Sequence, residues 1–126
     1  MIMACRSIAK GNPAADQITA LKPSGQVVVM ELELGDLASI HTFVTAFRQD
    51  YNRLDLLINN AGVALPSYGK TAQGFEQLFG INHLGHFALS GLLLDRLNAT
   101  PGARIVTVSS WPHQSGNINF DDLNWE

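Results

Sequence analysis

Side chains able to do chemistry gather at a few places along this chain. Asn59-Asn60-Ala61-Gly62 combines two carboxamides, which donate and accept hydrogen bonds, with residues small enough to let a bound molecule approach the backbone. Asp36-Leu37 offers a carboxylate, Asn82 lies within Gly80-Ile81-Asn82-His83-Leu84-Gly85-His86-Phe87, and Ser109-Ser110 closes an apolar run. Arg6 adds a planar cation that matches phosphate geometry. Singly, each has a bland reading: an Asn-Gly-rich turn, a helix N-cap at Asp36, a polar residue in a helix, a serine pair after a strand. His83, His86 and His113 form no metal-ligand spacing with the lone Cys5, so no metal is assigned.

Whether these groups act together depends on the elements that carry them. Met1 to Cys5 reads as a short buried strand and Gln26 to Leu34, with its run of valines, as a second. Leu54 to Ile58 and Arg104 to Val108 read as two more. Between them, Gly11 and Asn12 precede Pro13, a favoured first helical residue, which predicts a helix over 13–22. Asp36 is placed to cap a helix with Ile40, Phe43, Val44 and Phe47 on one face. After a loop containing Pro66 and Gly69, a helical segment is predicted over 72–79 and a long helix over 81–98, with the chain after Ser109 loop-like.

Strands that are continuously apolar and alternate with helices predict parallel strands covered on both faces. The expected fold is α/β, a doubly wound parallel sheet of Rossmann-like, three-layer type, forming a single domain over residues 1–126. In such sheets ligands bind beyond the carboxyl ends of the strands, which is where Arg6, Asp36, Asn59 to Gly62 and Ser110 fall.

Composition narrows the class further. The chain is 46% hydrophobic and 15% charged with a formal net charge of −3, enough apolar material for one core and no basic stripe for a nucleic acid. No apolar run reaches the roughly 20 residues of a membrane span. A lone cysteine forms no internal disulfide, and with no leader-like start the expected setting is reducing and cytoplasmic.

Asn-Asn-Ala-Gly after an apolar strand, Asn82 downstream of it and a strand ending in Ser109-Ser110 together resemble the short-chain dehydrogenase/reductase family over essentially the whole chain. Ala4-Cys5-Arg6-Ser7, Asn82 to Phe87 and Asn119 to Trp125 look most like its retinol dehydrogenase and WW-domain oxidoreductase branch. The resemblance implies an NAD(P)-dependent oxidoreductase that interconverts an alcohol and a carbonyl by hydride transfer, on small and often apolar substrates. It implies Ser110 and Asn82 as catalytic residues: Ser110 as the hydroxyl on the substrate carbonyl, Asn82 as the residue that distorts its helix and frees a carbonyl for a proton-relay water. It implies that Asp36 and the Leu37 amide hold the adenine, while Asn59, Ala61 and Gly62 support the sheet and line the nicotinamide ribose site. At Arg6 an acid would bind the ribose hydroxyls of NAD, whereas an arginine pairs with the 2′-phosphate, so NADP is expected over NAD.

Two family motifs are not in this sequence. No Gly-x-x-x-Gly-x-Gly loop occurs, and the Tyr-x-x-x-Lys pair is missing, since Tyr51 is followed four residues later by Asp55 and Tyr68 by Ala72. The chain is therefore expected to be an internal piece that lacks the first strand and the C-terminal part, with a gap in mid-sheet and no activity or tight NADP binding in isolation. The longer protein is expected to be a homo-oligomer. The competing reading is a noncatalytic Rossmann-like module that binds a partner or dimerises through the helix at 81–98. An epimerase of the extended branch would need a sequence other than Asn59 to Gly62 after that strand.

Overall fold

The computed structural model describes residues 1–64 and 67–126; Pro66, expected in the loop after the third strand, lies outside them. The order of elements alternates as the apolar pattern requires: β1 Ile2–Cys5, α1 Ile8–Ala20, β2 Val28–Glu31, α2 Leu37–Asp50, β3 Leu56–Asn59. There follow α3 Gln77–Phe79, a π-helical turn Gly80–Gly85, α4 His86–Leu92, α5 Leu94–Ala99, β4 Arg104–Thr107 and a 3-10 turn Trp111–Gln114. None of the helices among the described residues is long and apolar enough to cross a membrane.

β1 runs parallel to β2, with Ile2 opposite Val28 and Cys5 opposite Glu31. β3 runs parallel to β4, with Leu56 opposite Arg104 and Asn59 opposite Thr107. These are two separate two-stranded sheets, so the expected break between β1 and β3 is present. The fold is an incomplete α/β Rossmann-like one.

The core forms where α2 meets β2 and α4. Ile40, Phe43, Val44 and Phe47, the face read from helical periodicity, are all buried and pack with Leu32, Leu34, Ile81, Leu89 and Leu93. Asp36 caps α2 as expected, its carboxylate accepting from the Ala38 N–H at 2.9 Å.

Several expectations are corrected. The first helix begins at Ile8 and not at Pro13. Gly11, expected ahead of the helix, is buried inside it, and a Cβ there would stand 2.6 Å from Cys5 Sγ and 2.7 Å from Val29; close packing on the sheet overrides the local signal. Residues 72–76 are not helical, since Gly74 takes φ +87°, which no right-handed helix accepts. The long helix over 81–98 is a π-turn and two α-helices, broken at Leu93, which is almost wholly buried and leaves helical geometry at φ −99°, ψ 2°. The strands are shorter than read, and β3 includes Asn59. Finally, β4 is exposed along its whole length and not covered on both faces, and Leu56 and Ile58 of β3 are exposed with it.

Candidate functional site

The strongest local construction surrounds Asn82. Glu76 caps the start of the helical run by accepting from the Leu78 and Phe79 N–H groups at 2.8 and 2.7 Å. Further on, a Cβ at Gly85 would collide with the Leu34 carbonyl oxygen, so only glycine lets this helix lie so close to the end of the segment that follows β2. Between these fixed points the backbone widens into the π-turn Gly80–Gly85, with Asn82 inside it.

From there the Asn82 side chain grips a single residue beyond β3. Its Oδ1 accepts the Val63 N–H at 2.8 Å and its Nδ2 donates to the Val63 carbonyl at 2.9 Å. Gly62, next in the chain, lies beside it: a Cβ built on Gly62 would be 3.7 Å from Asn82 Oδ1. The Asn82 carbonyl, expected to hold a water, is met by His86 Nδ1 at 2.9 Å. A carbonyl only accepts, so that ring nitrogen carries a proton.

Asn59 is buried at the end of β3, and its Nδ2 donates to Ser90 Oγ of α4 at 3.0 Å. The carboxamide thus ties the end of β3 to α4. Its Oδ1 is buried without a partner among the described residues. Asn60, Ala61 and Gly62 are exposed, so the backbone of the motif is open to a ligand.

At the other sheet, Arg6 follows β1 with its side chain largely exposed, and its Nε is 3.6 Å from Glu33 Oε2. Glu33 in turn accepts the Gly35 N–H at 2.9 Å through Oε1. Asp36 and Leu37 share one partner: Gln73 Nε2 donates to Asp36 Oδ1 at 3.1 Å, and Gln73 Oε1 accepts the Leu37 N–H at 3.2 Å. The Gln73 hydrogen bond first, and then that of the Ala38 N–H, hold the Asp36 carboxyl below its ordinary value of 3.8.

Ser110 is exposed at the N-cap of the 3-10 turn, and its side chain makes no capping bond. Its carbonyl accepts the His113 N–H at 3.2 Å and lies 2.5 Å from His113 Nδ1. The structure therefore brings Asn82 and Gly62 together, and Arg6 and Asp36 near the end of one strand pair, while Ser110 sits beyond the other pair without a hydrogen bond to Asn82. Nothing in the residue pattern points to Gln73, Ser90 or His86 as partners; His86 and Asn82 stand four residues apart, the one spacing that could have suggested their contact. Among the described residues no three of His, Cys, Asp and Glu are placed to hold a metal ion.

Comparison with known proteins identifies the family. The family model described as short chain dehydrogenase matches residues 1–121. Human retinol dehydrogenase 12 is 48% identical over 124 residues, covering 98% of this chain and 39% of that protein. An uncharacterised protein from Mycobacterium Paratuberculosis, solved by crystallography, is 46% identical with a TM-score of 0.81, covering 98% of this chain and 41% of that one. The alcohol dehydrogenase of the archaeon Thermococcus sibiricus, solved with 5-hydroxy-NADP, is 19% identical with a TM-score of 0.71 over 86% of this chain and 46% of that one, a likeness of fold alone. The chain thus spans about two fifths of the length of the proteins it matches.

Proposed function

The chain belongs to the short chain dehydrogenase family, a family of oxidoreductases, and from that premise we propose that the protein carrying it interconverts an apolar alcohol and its carbonyl by hydride transfer, using NADP. The observation that carries this reading is the two-point grip of Asn82 on Val63, which fixes the open backbone of Ala61 and Gly62 against the π-turn.

The described residues fit a dinucleotide. Ala61 and Gly62 present exposed backbone without bulky side chains, Asp36 and Leu37 offer an acceptor beside a donor, and the Arg6 side chain is 71% exposed and, among the described residues, makes one long ion pair. In this reading Asp36 and the Leu37 N–H hold the adenine, Ala61 and Gly62 admit the nicotinamide ribose, and Arg6 pairs with the 2′-phosphate. The nicotinamide, when bound, supplies or takes up the hydride. Ser110 donates its hydroxyl to the substrate oxygen and stabilises the charge that grows there. Asn82 positions the Gly62 loop, and its carbonyl, with the His86 Nδ1–H beside it, orders the proton path.

An apolar substrate is supported by the name and 48% identity of the retinol dehydrogenase relative. The 126 residues by themselves contain no Tyr-x-x-x-Lys pair, and we assign them no turnover in isolation. Exposed Phe87 and Leu94, on α4 and α5, support self-association of the longer protein. The test is NADPH-dependent reduction of retinal and of smaller aldehydes and ketones by the longer protein, beside the isolated chain. Turnover by the longer protein is expected; absence of turnover with every carbonyl, or turnover by the isolated chain, would overturn the reading.

A further inference from the structure

Asp36 and Leu37 present two adjacent hydrogen-bonding groups with opposite polarity, a carboxylate oxygen that accepts and a backbone N–H that donates. Whatever satisfies both at once must carry a donor next to an acceptor in one plane. A primary carboxamide does, and so does the amino-and-ring-nitrogen edge of adenine. In the structure the place is taken by a carboxamide of the chain itself, Gln73, with Nε2 on Asp36 Oδ1 at 3.1 Å and Oε1 on the Leu37 N–H at 3.2 Å.

We propose that Gln73 is an internal stand-in for adenine, a side chain that covers the Asp36–Leu37 pair in the free protein and must leave it before an adenine nucleotide can bind. The proposal rests on the reading of Asp36 and Leu37 as the adenine seat. Three features let Gln73 act as a removable cover. It is exposed, so little packing holds it. It sits in the tight turn Thr71–Gly74, closed by the Gly74 N–H on the Thr71 carbonyl at 3.0 Å, so its side chain hangs from a tip and swings without moving an element. The turn is also anchored independently, by the Ala72 N–H on the Gly35 carbonyl at 3.0 Å, so the loop stays beside α2 when the carboxamide lets go.

The consequence is a population effect. A nucleotide that needs the uncovered pair binds with its intrinsic affinity reduced by the fraction of time Gln73 is away. Removing the carboxamide removes that penalty, the opposite of what truncating a contact residue usually does.

The test uses the longer protein and titrates NADPH, ADP-ribose and nicotinamide mononucleotide into wild type, Gln73→Ala and Gln73→Glu. The second variant repels Asp36 while keeping the side chain's length. Both variants are expected to bind NADPH and ADP-ribose roughly three- to tenfold more tightly, with nicotinamide mononucleotide unchanged. In the wild type, the Gln73 side-chain amide resonances should move on adding ADP-ribose and stay fixed with nicotinamide mononucleotide. If the variants bind the adenine nucleotides equally or more weakly while Asp36→Ala binds them poorly, Gln73 is a loop clip and the proposal falls alone. If Asp36→Ala leaves NADPH binding untouched, the adenine seat is elsewhere and both fall.

Discussion

Asn82 holds Val63 by both of its backbone groups, accepting the N–H at 2.8 Å and donating to the carbonyl at 2.9 Å, across 19 residues of chain. A carboxamide satisfies both because its two ends have opposite polarity, and no other side chain of that length does. Asn82→Asp loses the donor and sets a carboxylate against the Val63 carbonyl, whereas Asn82→Ala loses both bonds. Each exposed bond contributes about 0.5–1 kcal/mol, so Asn82→Ala should lower unfolding stability by about 1–2 kcal/mol, and Asn82→Asp by a similar amount. Urea denaturation of the longer protein measures this, and equal stability of all three forms would show that the grip is incidental.

Gly85 and Gly91 make an internal comparison. A Cβ at Gly85 would strike the Leu34 carbonyl oxygen, and backbone cannot step aside as a side chain can; Gly91 is exposed with nothing near. Gly85→Ala should cost roughly 1–3 kcal/mol, while Gly91→Ala should be neutral or gain about 0.4–1 kcal/mol by restricting the unfolded chain. Thermal melts of the two variants should shift in opposite directions or, at the least, by clearly different amounts.

The Asp36 carboxyl, held below 3.8 by Gln73 and then by the Ala38 N–H, links stability to acid. A group whose pKa is depressed by folding stabilises the native state above its unfolded value and loses that contribution as pH falls through the folded one. Asp36→Asn should therefore show a smaller loss of stability than wild type as pH is lowered from about 4 downward, with parallel behaviour above pH 5. Gln73→Ala removes the largest cause, so its Asp36 carboxyl should titrate nearer 3.8, as followed by NMR. A wild-type Asp36 titrating at or above 3.8 would contradict the geometry.

What was legible in the sequence was what is local in the chain. The Asp36 cap acts on Ala38, two residues on, and the buried stripe Ile40, Phe43, Val44 and Phe47 repeats within one helix, so both could be read from spacing. Gly11 could not, because its reason is contact with Cys5 and Val29 across the strand pair. Gln73 could not either: its two partners are 36 and 37 residues away, and exposed glutamines carry no periodic signal. Asn59 was legible as a residue at the end of its strand, but its partner was not, since Ser90 stands 31 residues on and only the packed helix brings it there.

Arg6 makes the choice of cofactor testable. Its guanidinium lies 3.6 Å from Glu33 Oε2, a long pair in which Arg6 is exposed and Glu33 half-buried, and such a pair contributes little to stability and yields easily to a stronger anion. A 2′-phosphate offers charge-assisted hydrogen bonds in place of that single carboxylate oxygen. In the longer protein Arg6→Ala should weaken NADPH binding roughly tenfold and leave NADH within about twofold. Equal effects on both nucleotides would remove Arg6 from the phosphate, and a preference for NADH in the wild type would give the acid at Glu33 the leading part.

Ser109 and Ser110 provide the sharpest test of the chemistry, because they are neighbours with different prospects. Both are exposed beyond β4, and Ser110 makes no side-chain cap bond, so neither hydroxyl is needed for the fold. Alanine at either position should leave the melting temperature within about a degree, since surface changes away from caps and cores stay near ±0.5 kcal/mol. The rates should part. If Ser110 donates to the oxygen where negative charge develops, its loss removes a bond that strengthens in the transition state, and kcat should fall about 10²–10³-fold with KM changing far less. Ser109→Ala should retain most of the activity. The reverse pattern would move the role one residue back, and two active variants would leave this strand end without a part in the reaction.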